Sequence, residues 1–198
     1  DNLVNFYWPK DGKINFMAYL PRVITAENCA ASISNIQFSA TEGVKFSAMM
    51  PNETVDLVAA DRAREHAKSE FMYACRQNQT KYPGAGEEPG SVTLRFVHPF
   101  AMIRFQLVQS HRDLILHHIA LHGLGKVGSF ASNNDTYKVT NQDYLSHSNW
   151  TLSSTGDYHI YLDKQVPKDI NYSSLIGGPY MVIPQDLKNV TLSVNYSW

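Results

Sequence analysis

Residues 91–108, Ser-Val-Thr-Leu-Arg-Phe-Val-His-Pro-Phe-Ala-Met-Ile-Arg-Phe-Gln-Leu-Val, constrain the fold more than any other stretch. Before Pro99 the apolar side chains fall on even positions: Val92, Leu94 and Phe96. After it they fall on odd ones: Ile103, Phe105 and Leu107. Successive side chains of a strand point to opposite faces, so each arm has one apolar face. The reversed parity means that the second arm does not simply continue the first. Proline offers no N–H to a ladder and biases the residue before it towards extended backbone. The pattern predicts two strands joined by a kink at His98-Pro99.

The rest of the chain reads in the same β-rich way. Ile14, Phe16, Ala18 and Leu20 share one strand face, after the turn signal Asp11-Gly12 and before Pro21. Shorter strands are expected over 32–40, with Ile36 and Phe38 inward, and over 55–59. Residues 113–122 are apolar on both faces, as in a covered strand. Gly123, Gly125 and Gly128 then read as a turn before a short strand at 129–131. Residues 132–157 are polar and turn-rich, and strands follow at 158–162 and 180–183 around the loop Gly177-Gly178-Pro179. The cleanest alternation closes the chain: Val190, Leu192, Val194, Tyr196 and Trp198 against Thr191, Ser193, Asn195 and Ser197. It predicts one buried and one wet face.

One segment breaks the period. Ala60, Ala63, Ala67, Phe71 and Ala74 are spaced 3, 4, 4 and 3, which predicts an amphipathic helix over 61–76. Residues 77–90 hold two prolines and three glycines and read as a linker. The expected fold class is mainly β: antiparallel sandwich form, about ten strands and one short helix. The linker divides it into two sandwiches, residues 1–90 and residues 91–198.

Composition narrows the function. The 198 residues can bury a real core, and many aromatics (12%) beside few charges (18%) suit sheet. A formal net charge of −1 gives no basic excess for nucleic acid. No run reaches the ~18 apolar residues of a membrane span. The chain opens and closes on β-patterned residues, so a trimmed or partial chain is expected. Cys29 and Cys75 permit one disulfide and fit two free thiols equally well.

No residue is assigned a catalytic, cofactor-binding or metal-ligating role. His118 and His122 share a strand face but lie about 13 Å apart, too far for one ion. They read as histidines packed or solvated beside a sheet. Gly123-x-Gly125-x-x-Gly128 lacks the βαβ context of a dinucleotide fingerprint. No nucleophile elbow is present, and a Ser/His/Asp triad stays open because its partners meet only in space. Seven Asn-x-Ser/Thr triplets, at Asn52, Asn78, Asn134, Asn149, Asn171, Asn189 and Asn195, mark a polar surface. Trp150 and Tyr137 could stack on sugars if exposed, or fold back onto the sheet.

Four ordered segments carry a resemblance. They are residues 7–21 (Tyr-Trp-Pro through Phe-Met-Ala-Tyr-Leu-Pro), Val55-Asp-Leu-Val-Ala59, residues 92–103, and Pro179-Tyr-Met-Val-Ile-Pro-Gln185 with Val190-Thr-Leu-Ser-Val-Asn-Tyr196. Together they resemble the fimbrillin-like proteins of Bacteroidales type V pili. His98-Pro99-Phe100 stands where that family usually has His-Ala-Leu. The resemblance implies two transthyretin-like sandwiches and a structural or adhesive pilus subunit, not an enzyme, without cofactors. It implies export as a lipoprotein to the outer membrane and the extracellular fimbrium. It also implies arginine-directed removal of a first strand, so that the groove left behind takes a strand from another pilus subunit. A host or bacterial surface ligand is a further expected partner. Neither nucleic acid nor a membrane-spanning segment is expected. The alternative is a non-polymerising cell-surface module that binds glycan or protein.

Overall fold

The structure is a computed structural model that describes residues 7–22, 24, 31–39, 43–55, 71–82, 89–107, 111–132, 149–168 and 174–198. Among them ten strands occur: β1 (Ile14–Leu20), β2 (Ser32–Ser39), β3 (Gly43–Met49), β4 (Glu53–Val55), β5 (Met72–Gln79), β6 (Ala101–Leu107), β7 (Leu114–Ala131), β8 (Trp150–Val166), β9 (Ser174–Val182) and β10 (Thr191–Ser197). Every ladder is antiparallel except β4 on β8. A six-stranded sheet runs β2-β3-β7-β8-β4, with β10 added to β7. Two-stranded sheets, β1-β5 and β6-β9, complete the layers. The mainly β, sandwich-like class expected from the sequence holds.

β7 is the axis of the molecule. One edge of this 18-residue strand pairs with β10 over its first part and with β3 over its last. β8 lines the other edge. Two apolar clusters sit along it. The first gathers Val44 and Phe46 of β3, Phe71, Tyr73 of β5, Phe100, Phe130 of β7, Trp150 of β8 and Ile183. Phe46 is its hub, with ring centroids 4.8 Å from Phe71, 4.9 Å from Phe130 and 5.5 Å from Trp150. Aromatic pairs of this kind contribute about 0.5–1.5 kcal/mol each beyond the area they bury. The second cluster gathers Leu116, Ile119, Leu121 and Leu124 of β7, Tyr158, Ile160 and Val166 of β8, and Tyr180 and Val182 of β9. Ile103 and Phe105 of β6 pack against it.

Several sequence expectations need correction. The helix over 61–76 does not extend through its last turn: Met72–Arg76 lie in β5, paired antiparallel with β1. Its earlier residues, 61–70, lie outside the described residues. Tyr73, Ala74 and Cys75 are all buried, so β5 is covered on both faces. Such a strand shows no alternation and mimics a helical stripe. The only helical element among the described residues is a 3-10 turn, Leu187–Asn189.

Of the two arms around Pro99, only the second is a strand, β6. In the first, Val92 and Leu94 are half-buried and Thr93 and Arg95 exposed, but the alternation breaks at Phe96, which is exposed while Val97 is half-buried. Its one pairing is a bridge from Val97 to Tyr73. Pro99 itself is fully buried, and its carbonyl accepts a 2.9 Å hydrogen bond from the Trp150 indole. The kink therefore builds the first core.

The glycines at 123, 125 and 128 are no turn. They lie inside β7, where ladder slips concentrate. A Cβ on Gly125 would meet Gln185 Oε1 at 2.6 Å and Leu152 Cδ2 at 2.7 Å, so those two side-chain ends would have to move aside for any larger residue. Residues 150–157 form the first half of β8 rather than a turn-rich region. Gly177-Gly178-Pro179 lies within β9. Strand β3 went unpredicted. The 55–59 strand is seen only at its first residue, the last of β4, since residues 56–60 lie outside the described set.

Candidate functional site

The site is built on β10. The motif Pro184-Gln185 sets it up: the Gly125 N–H donates to Gln185 Oε1 at 2.7 Å, which ties the incoming chain to β7. Asp186 then caps the 3-10 turn by accepting from the Lys188 N–H at 3.0 Å. From Thr191 the chain pairs with β7 in the register Leu192↔Leu121, Val194↔Ile119 and Tyr196↔Leu116. Those three β7 partners are buried in the second core. Hence the even-numbered side chains of β10 extend the inner face of that core sideways.

The sequence expected this stripe to be buried, and the structure overturns that. Leu192 is 54% exposed, Val194 45%, Tyr196 49% and Trp198 76%. The layer opposite, β6-β9, has two strands only. It covers β7 and β8 but, among the described residues, leaves β10 bare. Only Val190, one step before the strand, packs on the core. β10 pairs with β7 alone among the described residues, so its other edge has no strand partner. An uncovered apolar stripe on an edge strand is a template for another chain.

The opposite, outer face is polar and ordered. Here two histidines of β7 each bridge a carboxylate of β8 to a hydroxyl of β10. His122 meets Asp157 Oδ2 through Nδ1 at 3.0 Å and Ser193 Oγ through Nε2 at 2.9 Å. His117 meets Asp163 Oδ1 through Nδ1 at 2.8 Å and Ser197 Oγ through Nε2 at 2.8 Å. Between these rungs, His118 Nε2 lies 3.1 Å from His159 Nδ1, with the two rings stacked at 5.2 Å. Tyr161 closes the group, 4.9 Å from the His118 ring. The hydrogen bond from His122 chiefly holds the Asp157 carboxyl below its usual range, and the Gly123 N–H adds to this. Burial, then the neighbouring His159 and His122, push His118 below the usual imidazole value.

These partners lie on three strands distant in sequence, so spacing could not reveal them. His118 and His122 do share a face, as expected, but His118 meets His159 instead. Each rung has the connectivity of an Asp–His–Ser triad. Both stand on the flat face of a sheet, each ring wedged between two strands, and the arrangement clamps β10 to β7 and β8. Among the described residues no three metal-ligating side chains converge.

The other flagged residues fall elsewhere. Trp150 is buried in the first core and presents no ring to a sugar. Tyr137 and Cys29 lie outside the described residues. Cys75 is a buried free thiol, and burial raises its pKa. Lys126 is buried too; its ammonium donates to the Pro51 carbonyl and lies 5.4 Å over the Tyr158 ring. Burial lowers its pKa. It ties the β3–β4 connection to β7 and adds nothing to the β10 site. No helix among the described residues is long and apolar enough to cross a membrane.

With this geometry in place, comparison defines the class. The chain matches the fimbrillin-like family over residues 4–198 and belongs to it. That places it with pilus- or adhesin-type surface proteins. A crystal structure of a candidate cell adhesion protein from Bacteroides ovatus is also similar, at 17% identity and a TM-score of 0.35. The match covers 79% of this chain and 55% of that one, so this chain spans about half its length. A likeness of that size carries no functional argument. No curated protein matches the chain significantly.

Proposed function

We propose that the chain is a structural or adhesive subunit of a bacterial surface pilus, joined to its neighbours by β-strand addition at β10. The observation that carries this reading is the bare stripe of Leu192, Val194, Tyr196 and Trp198, in register with the buried face of the second core. An added strand would satisfy the unpaired edge through main-chain hydrogen bonds and cover the stripe with its alternate side chains. Fully covering one such side chain is worth about 1.5–3 kcal/mol. Family membership narrows the partner to another pilus subunit. Export as a lipid-anchored precursor to the outer membrane belongs to the same reading.

The test is assembly in the native host. Val194→Glu puts a charge in the middle of the stripe, at a position 45% exposed in the monomer. Cells carrying it should lose detergent-resistant subunit ladders while the purified monomer keeps its melting temperature. Wild-type ladders in the variant would remove β10 as the assembly surface. Trp150 burial removes one of the two rings, Trp150 and Tyr137, on which the glycan-binding alternative drew; Tyr137 lies outside the described residues.

A further inference from the structure

Strand β10 alternates without a break, and the strand it lies on does not. Early in β7 the residues that face the second core are even-numbered, Leu114 and Leu116; later they are odd-numbered, Ile119 and Leu121. The switch falls on His117 and His118, two consecutive side chains on the outer face: His117 reaches Asp163 and Ser197, and His118 reaches His159. Both ladders slip at this step. Towards β10, Asn195↔His118 is followed by Tyr196↔Leu116, so His117 is the extra residue. Towards β8, His118↔Tyr161 is followed by Leu116↔Lys164, so Leu162 and Asp163 stand against His117 alone. Asp163 takes up the slack with a φ of 42°, in the left-handed region. Few non-glycine residues adopt it, and aspartate is among those that do so most readily. Bulges re-aim side chains, and strained backbone persists only where its surroundings hold it.

The ring of His117 joins the two slips. Its Nδ1 meets Asp163 Oδ1 at 2.8 Å, and its Nε2 meets Ser197 Oγ at 2.8 Å. An ionised carboxylate only accepts, so Nδ1–H of the neutral ring donates to Asp163 and the Ser197 hydroxyl donates to Nε2.

This rung decides which way the end of β10 faces. Residues opposite each other on a ladder share a face. With the bulge, Tyr196 stands opposite Leu116 and extends the inner face; the Trp198 ring lies 5.5 Å from it. A straight ladder from Asn195↔His118 would set Tyr196 opposite His117, and a slip of one residue turns side chains to the other face. Burial ordinarily blocks such a slip, but Tyr196 is half exposed and Trp198 more so. The near half of β10 has anchors of its own: the Gly125–Gln185 hydrogen bond, Val190 on the core and the His122–Ser193 contact. The far half has the His117–Ser197 contact, with Arg112 over the Trp198 ring at 5.9 Å.

We propose that His117 is a positioning residue: with Asp163 and Ser197 it pins the paired bulge of β7 and β8, and so keeps Tyr196 and Trp198 on the inner face in line with Leu192 and Val194. An incoming strand then meets the whole stripe instead of its first half. That last step rests on strand addition at β10; the register lock itself does not.

NMR and hydrogen exchange on the intact chain test the lock, and subunit ladders in the native host test its consequence. Ser197→Ala removes the hydroxyl from an exposed position and leaves His117 and Asp163 in place; Ser197→Thr keeps a hydroxyl. In the wild type, NOEs should join the Tyr196 ring to Leu116, and Leu192 to Leu121. In Ser197→Ala the first set should vanish while the second stays. Amide protection over 196–198 should fall about tenfold relative to 191–194, the effect of one lost hydrogen bond. His117→Ala should give the same pattern, and Ser197→Thr should restore the wild-type one. A general loss of stability would move both halves of β10 together. Tyr196–Leu116 NOEs that persist in Ser197→Ala, or that fall in step with those of Leu192, overturn the lock. Detergent-resistant ladders lost in Ser197→Ala and regained in Ser197→Thr carry the lock through to assembly. A lost register with wild-type ladders overturns the assembly step and leaves the lock standing, so the two failures are told apart.

Discussion

The two ends of β7 carry cores of opposite character. The first core is closed: Phe46, Phe71, Tyr73 and Phe130 are all buried. Ser132 shows how tightly, since its Oγ accepts from the Val44 N–H at 2.8 Å while its own N–H donates to the Val44 carbonyl. The second core has the same kind of inner face, with Leu116, Ile119 and Leu121, yet its lateral neighbour β10 stays bare. Rank of hydrophobicity does not separate them, because Leu192 and Val194 are as apolar as anything in the first core. The covering sheets, β1-β5 and β6-β9, have two strands each; what separates the cores is that the sheet beneath the second extends sideways through β10, whose stripe stays exposed. A sheet can be complete in its hydrogen bonds to one neighbour and still lack a lid.

Four measurements can break or sharpen that contrast. Phe46→Ala should cost about 3–5 kcal/mol in denaturant unfolding, because the closed core cannot collapse onto the cavity. A cost under ~1 kcal/mol, the range of ordinary surface changes, would deny that this core is the closed one. Ser132→Ala should cost about 1–3 kcal/mol, by stranding the buried Val44 N–H. Trp150→Phe should cost about 1 kcal/mol, mainly the indole hydrogen bond to the Pro99 carbonyl. Leu192→Thr should change monomer stability by no more than ~0.5 kcal/mol, as exposed positions do. A loss comparable to that of Phe46→Ala would mean that the stripe is covered in solution.

The division into units at residue 90 is a proposal that calorimetry addresses. Two separate transitions would support units 1–90 and 91–198. One transition would join them, as the pairing of β3 with β7 and the shared first core favour.

How much the sequence disclosed depends on whether a strand has two unlike faces. β2, β6 and β10 alternate visibly, and they and β1, apolar on both faces, were each expected near their observed bounds. β5 is buried on both faces at Tyr73, Ala74 and Cys75, and it read as helix. β3 does have unlike faces, with Val44, Phe46 and Ala48 buried and Lys45 and Ser47 half-buried, and still went unpredicted, since Met49 and Met50 blur the alternation at its end. Gly125 looked like a turn because the Gln185 side chain that accepts from its N–H lies 60 residues away. The β10 stripe was legible as apolar and misread as buried. Alternation reports that a face is apolar, while its cover depends on what lies opposite it in the fold. The histidine face was not legible at all, since its partners come from β7, β8 and β10 through register alone.

β7 also has a mechanical meaning. Like β8 it contributes to both cores, over 18 residues or about 60 Å of backbone at ~3.3 Å per residue. If subunits join at β10, tension in a filament enters through the ladder between β10 and β7. It then reaches the closed core along a single uninterrupted backbone. The ladder bonds lie across that line, so they share the load in shear instead of opening one after another. A chain built this way resists being pulled lengthwise far better than being peeled from its free edge.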